Sequence, residues 1–512
     1  MKLLSSKKNL SSSGDVAILS ASLVVTYGIQ LVTAMLLSRY RTLGEYGTYS
    51  QMLMVVNLVT MLLMMGLPTS INYFLARAET KAERNRFVSA YYIFNTVLGF
   101  VVGALLVAAV PLIERYFGNG EISKYAYFLA LYPWTMIITG SVDNLLIVQK
   151  QSRLLVTYRI LHSLAIVGCV LIVQWCALGF SAYVFWFLTI ELVSSAVVIL
   201  FAVRLDGMIR VRADWSLIKE ILVFSIPLGL SVAITTLNSE LDKFVIGHFV
   251  STDQYAIYAN AAKELPFNFI ATSIAAVFLP IITRKIKHDQ MREAVDLWKE
   301  TITLSFLITA FFSFGLATFS KDAIVFLYSE KYAPGATVFA IYSLVLLFRT
   351  TYFGTILQCT NNTKYILRSS ILSLALNVVL NVALYYAIGF IGPAIATILA
   401  VAINAMYLLV ITRRITKIPL KALFPWKSVA SITLVNLAFS ALFFALKRVI
   451  PLEQLVGESW EGILLAGVWA LLYFGIFFRF IKGKLQTIKQ YEEPSEGETA
   501  GGKTLEQEQS TD

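Results

Sequence analysis

Charge is what this 512-residue chain lacks most: only 14% of its residues are Asp, Glu, Lys or Arg. Soluble globular domains carry about 25%. Apolar residues make up 57%, more than one compact core can hide, so an ordinary cytoplasmic enzyme is excluded. Cysteine is nearly absent. Cys169, Cys176 and Cys359 fall within or at the ends of apolar stretches, which leaves no disulfide framework. His162, His248 and His288 have no metal-ligand spacing, so neither a metal nor a cofactor is expected. Long polar connectors are missing too, and with them any room for a separate catalytic domain.

What remains is a succession of apolar runs. A spanning helix needs about 20 such residues, and fourteen runs qualify. They lie near 16–37, 47–74, 87–113, 122–149, 155–177, 181–203, 224–249, 254–283, 298–320, 336–359, 366–387, 393–413, 428–449 and 461–481. The expected fold is an all-α polytopic membrane protein of about fourteen transmembrane helices. The first run lacks a small-residue cleavage site and is followed at once by a second, so it reads as a retained span.

Lys and Arg orient the chain, because cytoplasmic loops retain them. With the N-terminus inside, 31 of the 42 fall on inner segments, Arg159 among them beside Lys150 and Arg153. Eight fall outside, including Arg39, and three (Lys243, Lys263 and Arg349) lie within spans. Both termini are therefore expected in the cytoplasm. The basic excess is a topology signal, and no nucleic-acid partner is expected. The polar tail at 482–512 is expected to be disordered. Its Gly497…Gly502-Lys503-Thr504 matches a phosphate-loop pattern, but no strand precedes it and no helix follows, so nucleotide binding is not expected.

The chain repeats itself. Leu37 to Gln51 aligns without gaps on Ile246 to Asn260, with aromatics coinciding at 40/249, 46/255 and 49/258. Leu67-Pro68 and Leu279-Pro280 follow in the respective copies. Parallel repeats are common in transporters, with a substrate site between halves. The expected organisation is a cytoplasmic N-terminus at 1–15, a six-helix bundle at 16–203 and a cytoplasmic linker at 204–223. A pseudo-symmetric six-helix bundle at 224–413 and two extra helices within 428–481 follow.

Arg39…Glu45-Tyr46-Gly47-Thr48-Tyr49, Ser225-Ile-Pro227-Leu-Gly229 and Leu241-Asp242-Lys243-Phe-Val-Ile-Gly247 resemble the patterns of bacterial polysaccharide-transport proteins. These are the Wzx-type flippases of the multidrug/oligosaccharidyl-lipid/polysaccharide exporter superfamily. The likeness covers about residues 12–482 and departs from the family at Arg41-Thr42-Leu43. It implies two six-helix bundles around a cavity, in the bacterial inner membrane. It also implies export of undecaprenyl-diphosphate-type lipid-linked oligosaccharides by alternating access, for surface polysaccharide such as lipopolysaccharide or capsule. A polysaccharide polymerase and a chain-length regulator would be further partners, beside membrane lipids.

Ionisable groups inside spans are costly and face cavities or each other. Lys243, Lys263 and Arg349 are the candidate cations for the passenger's diphosphate, with Arg39 at the outer rim. Asn260, Asn377 and Asn381 are candidate sugar contacts. For Lys243 and Lys263, ion pairs with Glu240, Asp242 or Glu264 are the competing reading. Asp143, Glu191, Glu240, Asp242 and Glu264 are candidate sites for a coupling proton or sodium ion; Glu191 has no basic neighbour in its own span. Lys263 is expected about nine residues into the eighth span, and Arg349 near the middle of the tenth. His162 reads as a hydrogen-bonded helix contact, and Gly99-x-x-x-Gly103 as a close helix approach inside the bundle. The alternative function is a multidrug or cation antiporter of the same superfamily, whose passengers call for cavity acids without buried bases.

Overall fold

A computed structural model describes residues 12–492 apart from 65, 211–213, 264, 266–267, 350 and 450–457, and among these it contains helices and no strand. The first series is α1 (Ser12–Tyr40), α2 (Leu43–Met64), α3 (Leu67–Arg77), α4 (Lys81–Ala108), α5 (Val110–Phe117), α6 (Ala126–Thr139), α7 (Val142–Val148), α8 (Ser152–Trp175) and α9 (Phe180–Asp206). The second is α10 (Trp215–Phe249), α11 (Thr252–Ala261), α12 (Asn268–Lys287), α13 (Met291–Thr318), α14 (Ser320–Tyr328), α15 (Ala336–Arg349), α16 (Thr355–Cys359), α17 (Thr363–Ile388) and α18 (Gly392–Thr416). A short α19 (Leu420–Leu423), then α20 (Trp426–Val449) and α21 (Glu458–Glu492), complete the chain. The last helix runs past the span end expected at 481, and residues 493–512, with the phosphate-loop look-alike, lie outside the described residues.

The second series repeats the first in order. Each has a long helix, a broken pair, a long helix with a short continuation, a second broken pair, and two more long helices. The repeat also reaches the caps. Thr42 Oγ1 accepts from Glu45 N at 3.2 Å while Glu45 Oε2 accepts from Thr42 N at 3.0 Å. At the aligned positions Ser251 and Gln254 make the same reciprocal pair, at 3.3 and 3.4 Å. Two orphan donors are satisfied at each helix start.

Ten segments among the described residues are long and apolar enough to cross a membrane, one of which, Thr363–Thr416, holds two helices. About fourteen spans are expected, and the run at 254–283 is not one helix, α11 ending at Ala261 and α12 starting at Asn268. Outward faces are apolar: Leu112 is 70% exposed, Leu471 77% and Trp175 89%. Such surface needs a lipid solvent, and the protein is a multi-pass membrane protein.

The chain forms two compact units, one of residues 1–260 with 327–332, the other of 261–326 with 333–512. In the first, the segment after α9 is bonded to α4. Asn85 Nδ2 donates to Asp206 O at 3.1 Å and Met208 O at 2.9 Å, and Arg210 N donates to Ser89 Oγ at 3.0 Å. The buried Asp206 carboxylate accepts twice from Gln149 Nε2 at 2.8 Å. Arg86 Nε reaches Asp214 Oδ2 at 2.5 Å, and Asp214 also caps α10 through Leu217 N at 3.2 Å. This clamp ties α10 to α4.

The Arg86 hydrogen bond holds the Asp214 carboxyl below the usual carboxylate range. Its contribution is therefore present above the ordinary Asp value, about pH 4, and is lost as pH falls through the lowered one. Asp214→Asn should flatten the acid limb of a thermal-unfolding profile measured in detergent below about pH 4.

In the second unit α20 and α21 pack on α13. Trp469 stands edge-on to Phe439 at 5.5 Å and to Phe319 at 6.2 Å, and Tyr473 OH donates to Leu307 O at 2.8 Å.

Candidate functional site

Two helix breaks open a cavity of about 530 Å³ in the first unit. The break between α2 and α3 rests on Gly66, whose φ of 72° is left-handed and whose Cβ, if present, would lie 2.9 Å from Gly229 N. Only glycine meets both conditions at no cost. Pro68 sits in the first turn of α3, where its missing N–H is no loss. The second break, at Gly140 and Ser141, separates α6 from α7.

Two acid–base pairs stand in the cavity region. Arg159 on α8 grips Asp143 on α7 with both arms, Nε to Oδ1 at 3.1 Å and Nη2 to Oδ2 at 2.7 Å. Its Nη1 donates to Ser22 Oγ on α1 at 3.1 Å, and the side chain is 11% exposed. One turn further along α8, His162 Nε2 lies 3.1 Å from Glu191 Oε1 on α9. The His162 ring lies parallel to Tyr158 at 5.8 Å. Arg159, His162, Asp143 and Tyr158 all line the cavity. A carboxylate as buried as Glu191 requires a partner, and the neighbouring helix supplies it.

Of the expected site residues, this unit thus brings Asp143 to the cavity wall, while Glu191 does not line it and reaches it only through His162. Arg39, Glu240, Asp242, Lys243 and Asn260 do not line it. Lys243 Nζ is 2.8 Å from Glu240 Oε2, buried Asp242 accepts from Tyr258 OH at 3.1 Å, and buried Asn260 accepts from Tyr46 OH at 2.8 Å. Exposed Arg39 ends α1, and its carbonyl accepts from Lys331 Nζ at 3.4 Å.

In the second unit two expectations are corrected. Lys263 is not inside a continuous helix: α11 stops at Ala261 and α12 starts at Asn268, leaving Lys263 exposed at the break. With Phe339, Tyr342, Ser343 and Leu346 of α15 it lines a small cavity. Arg349 is the last residue of α15 rather than mid-helix, at an end where the helix dipole favours a cation. It stands one turn beyond Leu346 on the same face. In both places the helix ends where hydropathy runs on. Asn377 and Asn381 are buried on α17, where Asn381 Nδ2 donates to Asn377 Oδ1 at 2.8 Å. They continue a buried polar stripe begun by Ser369 and Ser373. Glu264 lies outside the described residues.

Sequence reasoning missed Arg159 and His162 as site residues. Arg159 was counted with the cytoplasmic anchors because Lys150 and Arg153 precede it. Helix α8 starts at Ser152, so Arg159 stands seven residues in, about 10 Å at 1.5 Å per residue. The usable signal was its one-turn spacing from His162. Among the described residues no group of three or more His, Cys, Asp or Glu could hold a metal ion.

Solved structures share this fold. The structure superposes on the lipid II flippase MurJ in an inward closed conformation with a TM-score of 0.68, at 18% identity, covering 91% of this chain and 99% of that one. An inward-facing multidrug resistance MATE family transporter of the MOP superfamily gives 0.61 at 14% identity, over 79% and 98%. At these identities the likeness establishes the fold. Among curated relatives, a probable low-salt glycan biosynthesis flippase (Agl15) of Haloferax volcanii is 21% identical over 47% of this chain. A probable lipid II flippase MurJ of Rhizobium meliloti is 24% identical over 37%. The matches span about half the length of the first relative, 48%, and 37% of the second. Residues 36–337, more than half of the chain, match the profile of the family described as polysaccharide biosynthesis protein, and the chain belongs to that family.

Proposed function

We propose that this protein is a flippase that carries lipid-linked oligosaccharides, of the undecaprenyl-diphosphate type, across the bacterial cytoplasmic membrane for surface polysaccharide assembly. Transport is by alternating access, with both termini in the cytoplasm and a proton or sodium gradient as the energy source. A polysaccharide polymerase and a chain-length regulator take the product onward. No bond is made or broken in the passenger.

The observation that carries this reading is Arg159, held in the wall of an intramembrane cavity. A diphosphate entering low dielectric needs a fixed cation. The MATE-like fold also suits a cation antiporter. Against that reading, Asp143 is gripped by Arg159 and Glu191 is engaged by His162.

The test is reconstitution in liposomes with a fluorescent undecaprenyl-diphosphate oligosaccharide, measuring transfer between leaflets. Arg159→Gln should slow transfer about 10–100-fold, the worth of one charged hydrogen-bonding group. Unchanged transfer by Arg159→Gln removes the cavity assignment. Cationic dye efflux without oligosaccharide transfer selects the antiporter.

A further inference from the structure

Arg159 and His162 are separated by one helical turn, which puts their Cβ atoms about 5–6 Å apart on one face of α8. That spacing suits two phosphoryl groups sharing a bridging oxygen. Arg159 is held by Asp143 on α7, and His162 faces Glu191 on α9. The two carboxylates differ in one respect that matters: the Asp143 side chain is 47% exposed and the Glu191 side chain 8%.

The difference decides what each pair does when an anion arrives. Asp143 sits at the wet edge, so a phosphate can replace it on the guanidinium and the freed carboxylate remains solvated. Arg–phosphate and Arg–carboxylate bonds are both bidentate and of similar strength, so this exchange is nearly even. Glu191 has no such exit. A phosphate placed on His162 would face a buried carboxylate, and like charges in that setting repel strongly. The repulsion is relieved when the pair as a whole takes up a proton. Asp143 on α7, Arg159 and Tyr158 on α8, and Tyr27 on α1 stand around the cavity with His162. The phenols of Tyr49 on α2 and Tyr132 on α6 are near Glu191. None of these phenols offers the missing positive charge.

Resting on the flippase reading, we infer that Arg159 and His162 form a two-point diphosphate clamp. Asp143 is exchanged for the first phosphate, and the His162–Glu191 pair takes up a proton to hold the second. The clamp prefers a diphosphate to a monophosphate, because only the former reaches both points. It also ties binding to proton uptake: affinity is greatest at low pH and falls as pH rises, by at most tenfold per unit for one proton.

The experiment is calorimetric titration of the purified full-length protein in nanodiscs, with inorganic pyrophosphate and with orthophosphate, from about pH 5.5 to 8, where histidine titrates. Pyrophosphate is expected to bind more tightly than orthophosphate, with proton uptake seen in the buffer dependence of the heat. His162→Gln should abolish both the pH slope and the preference for pyrophosphate. Asp143→Asn should tighten pyrophosphate binding, by about tenfold for a relieved competitor worth 1.4 kcal/mol, whereas Arg159→Gln should abolish it. The opposite signs matter, since a purely structural ion pair loses binding with either change. A retained pH slope in His162→Gln, or weaker binding in Asp143→Asn with an unaltered melting temperature, overturns the clamp. If pyrophosphate binds as described but lipid-linked oligosaccharide is not transferred, the flippase reading fails and the clamp stands.

Discussion

Lys447→Met should destabilise the second unit by about 2–4 kcal/mol, reduced from the roughly 3–5 kcal/mol of a fully buried pair because Lys447 is one-third exposed. Lys447 Nζ lies 2.6 and 2.7 Å from the two oxygens of Asp322 and 4.0 Å from Glu461 Oε2. The side chains of Asp322 and Glu461 are only 16% and 3% exposed. Removing the lysine leaves two carboxylates facing each other with little water. The helices approach closely here, since a Cβ on Gly462 would lie 2.4 Å from Asp322 Cβ. The cluster therefore joins α14, α20 and α21 at one point. Thermal unfolding in detergent measures the loss, and the double change Lys447→Met with Asp322→Asn should recover part of it. Equal melting temperatures for wild type and Lys447→Met would show that the cluster contributes nothing.

Gly103→Leu should be as damaging, for a steric reason. A Cβ at Gly103 would stand 1.9 Å from Ala130 O, and one at Gly99 would stand 2.7 Å from Trp134 Cα. The α4–α6 contact is thus backbone against backbone, and a carbonyl in a helix cannot rotate aside. Overpacking costs typically 1–3 kcal/mol, so about 3 kcal/mol or more is expected where no side chain can yield. Gly168 is the control, because nothing lies within 4 Å of its would-be Cβ. Gly168→Ala should be neutral or slightly stabilising, by up to about 1 kcal/mol from helix propensity. Size-exclusion profiles and melting temperatures of the two variants separate the cases.

Those two contacts differ in how far the sequence announced them. The glycine pair was legible, because small residues four apart are a local signal for close helix approach, and the structure places its partner inside the same unit. The Lys447 cluster was not, because its members are separated by up to 139 positions between Asp322 and Glu461. The same limit applied at the cavity. Asp143 and Glu191 were conspicuous as acids inside apolar runs, whereas Arg159 was hidden among basic anchors. Lys263 and Arg349 were conspicuous as cations, yet both prove to lie at helix ends. A hydropathy run does not register a break that leaves the run apolar.

By itself, the sequence determined the solvent, the helical class and the internal repeat. Apolar surplus, run length and aligned aromatic and capping positions are local quantities, and lipid enforces helix wherever they hold. Tertiary structure alone decided which charge meets which. Ion pairs such as Arg159–Asp143 and His162–Glu191 form between helices, and the rotation of each helix and the place of each break set them. The chain's scarcity of charge makes that decision consequential, since each buried charge needs a partner and few are available.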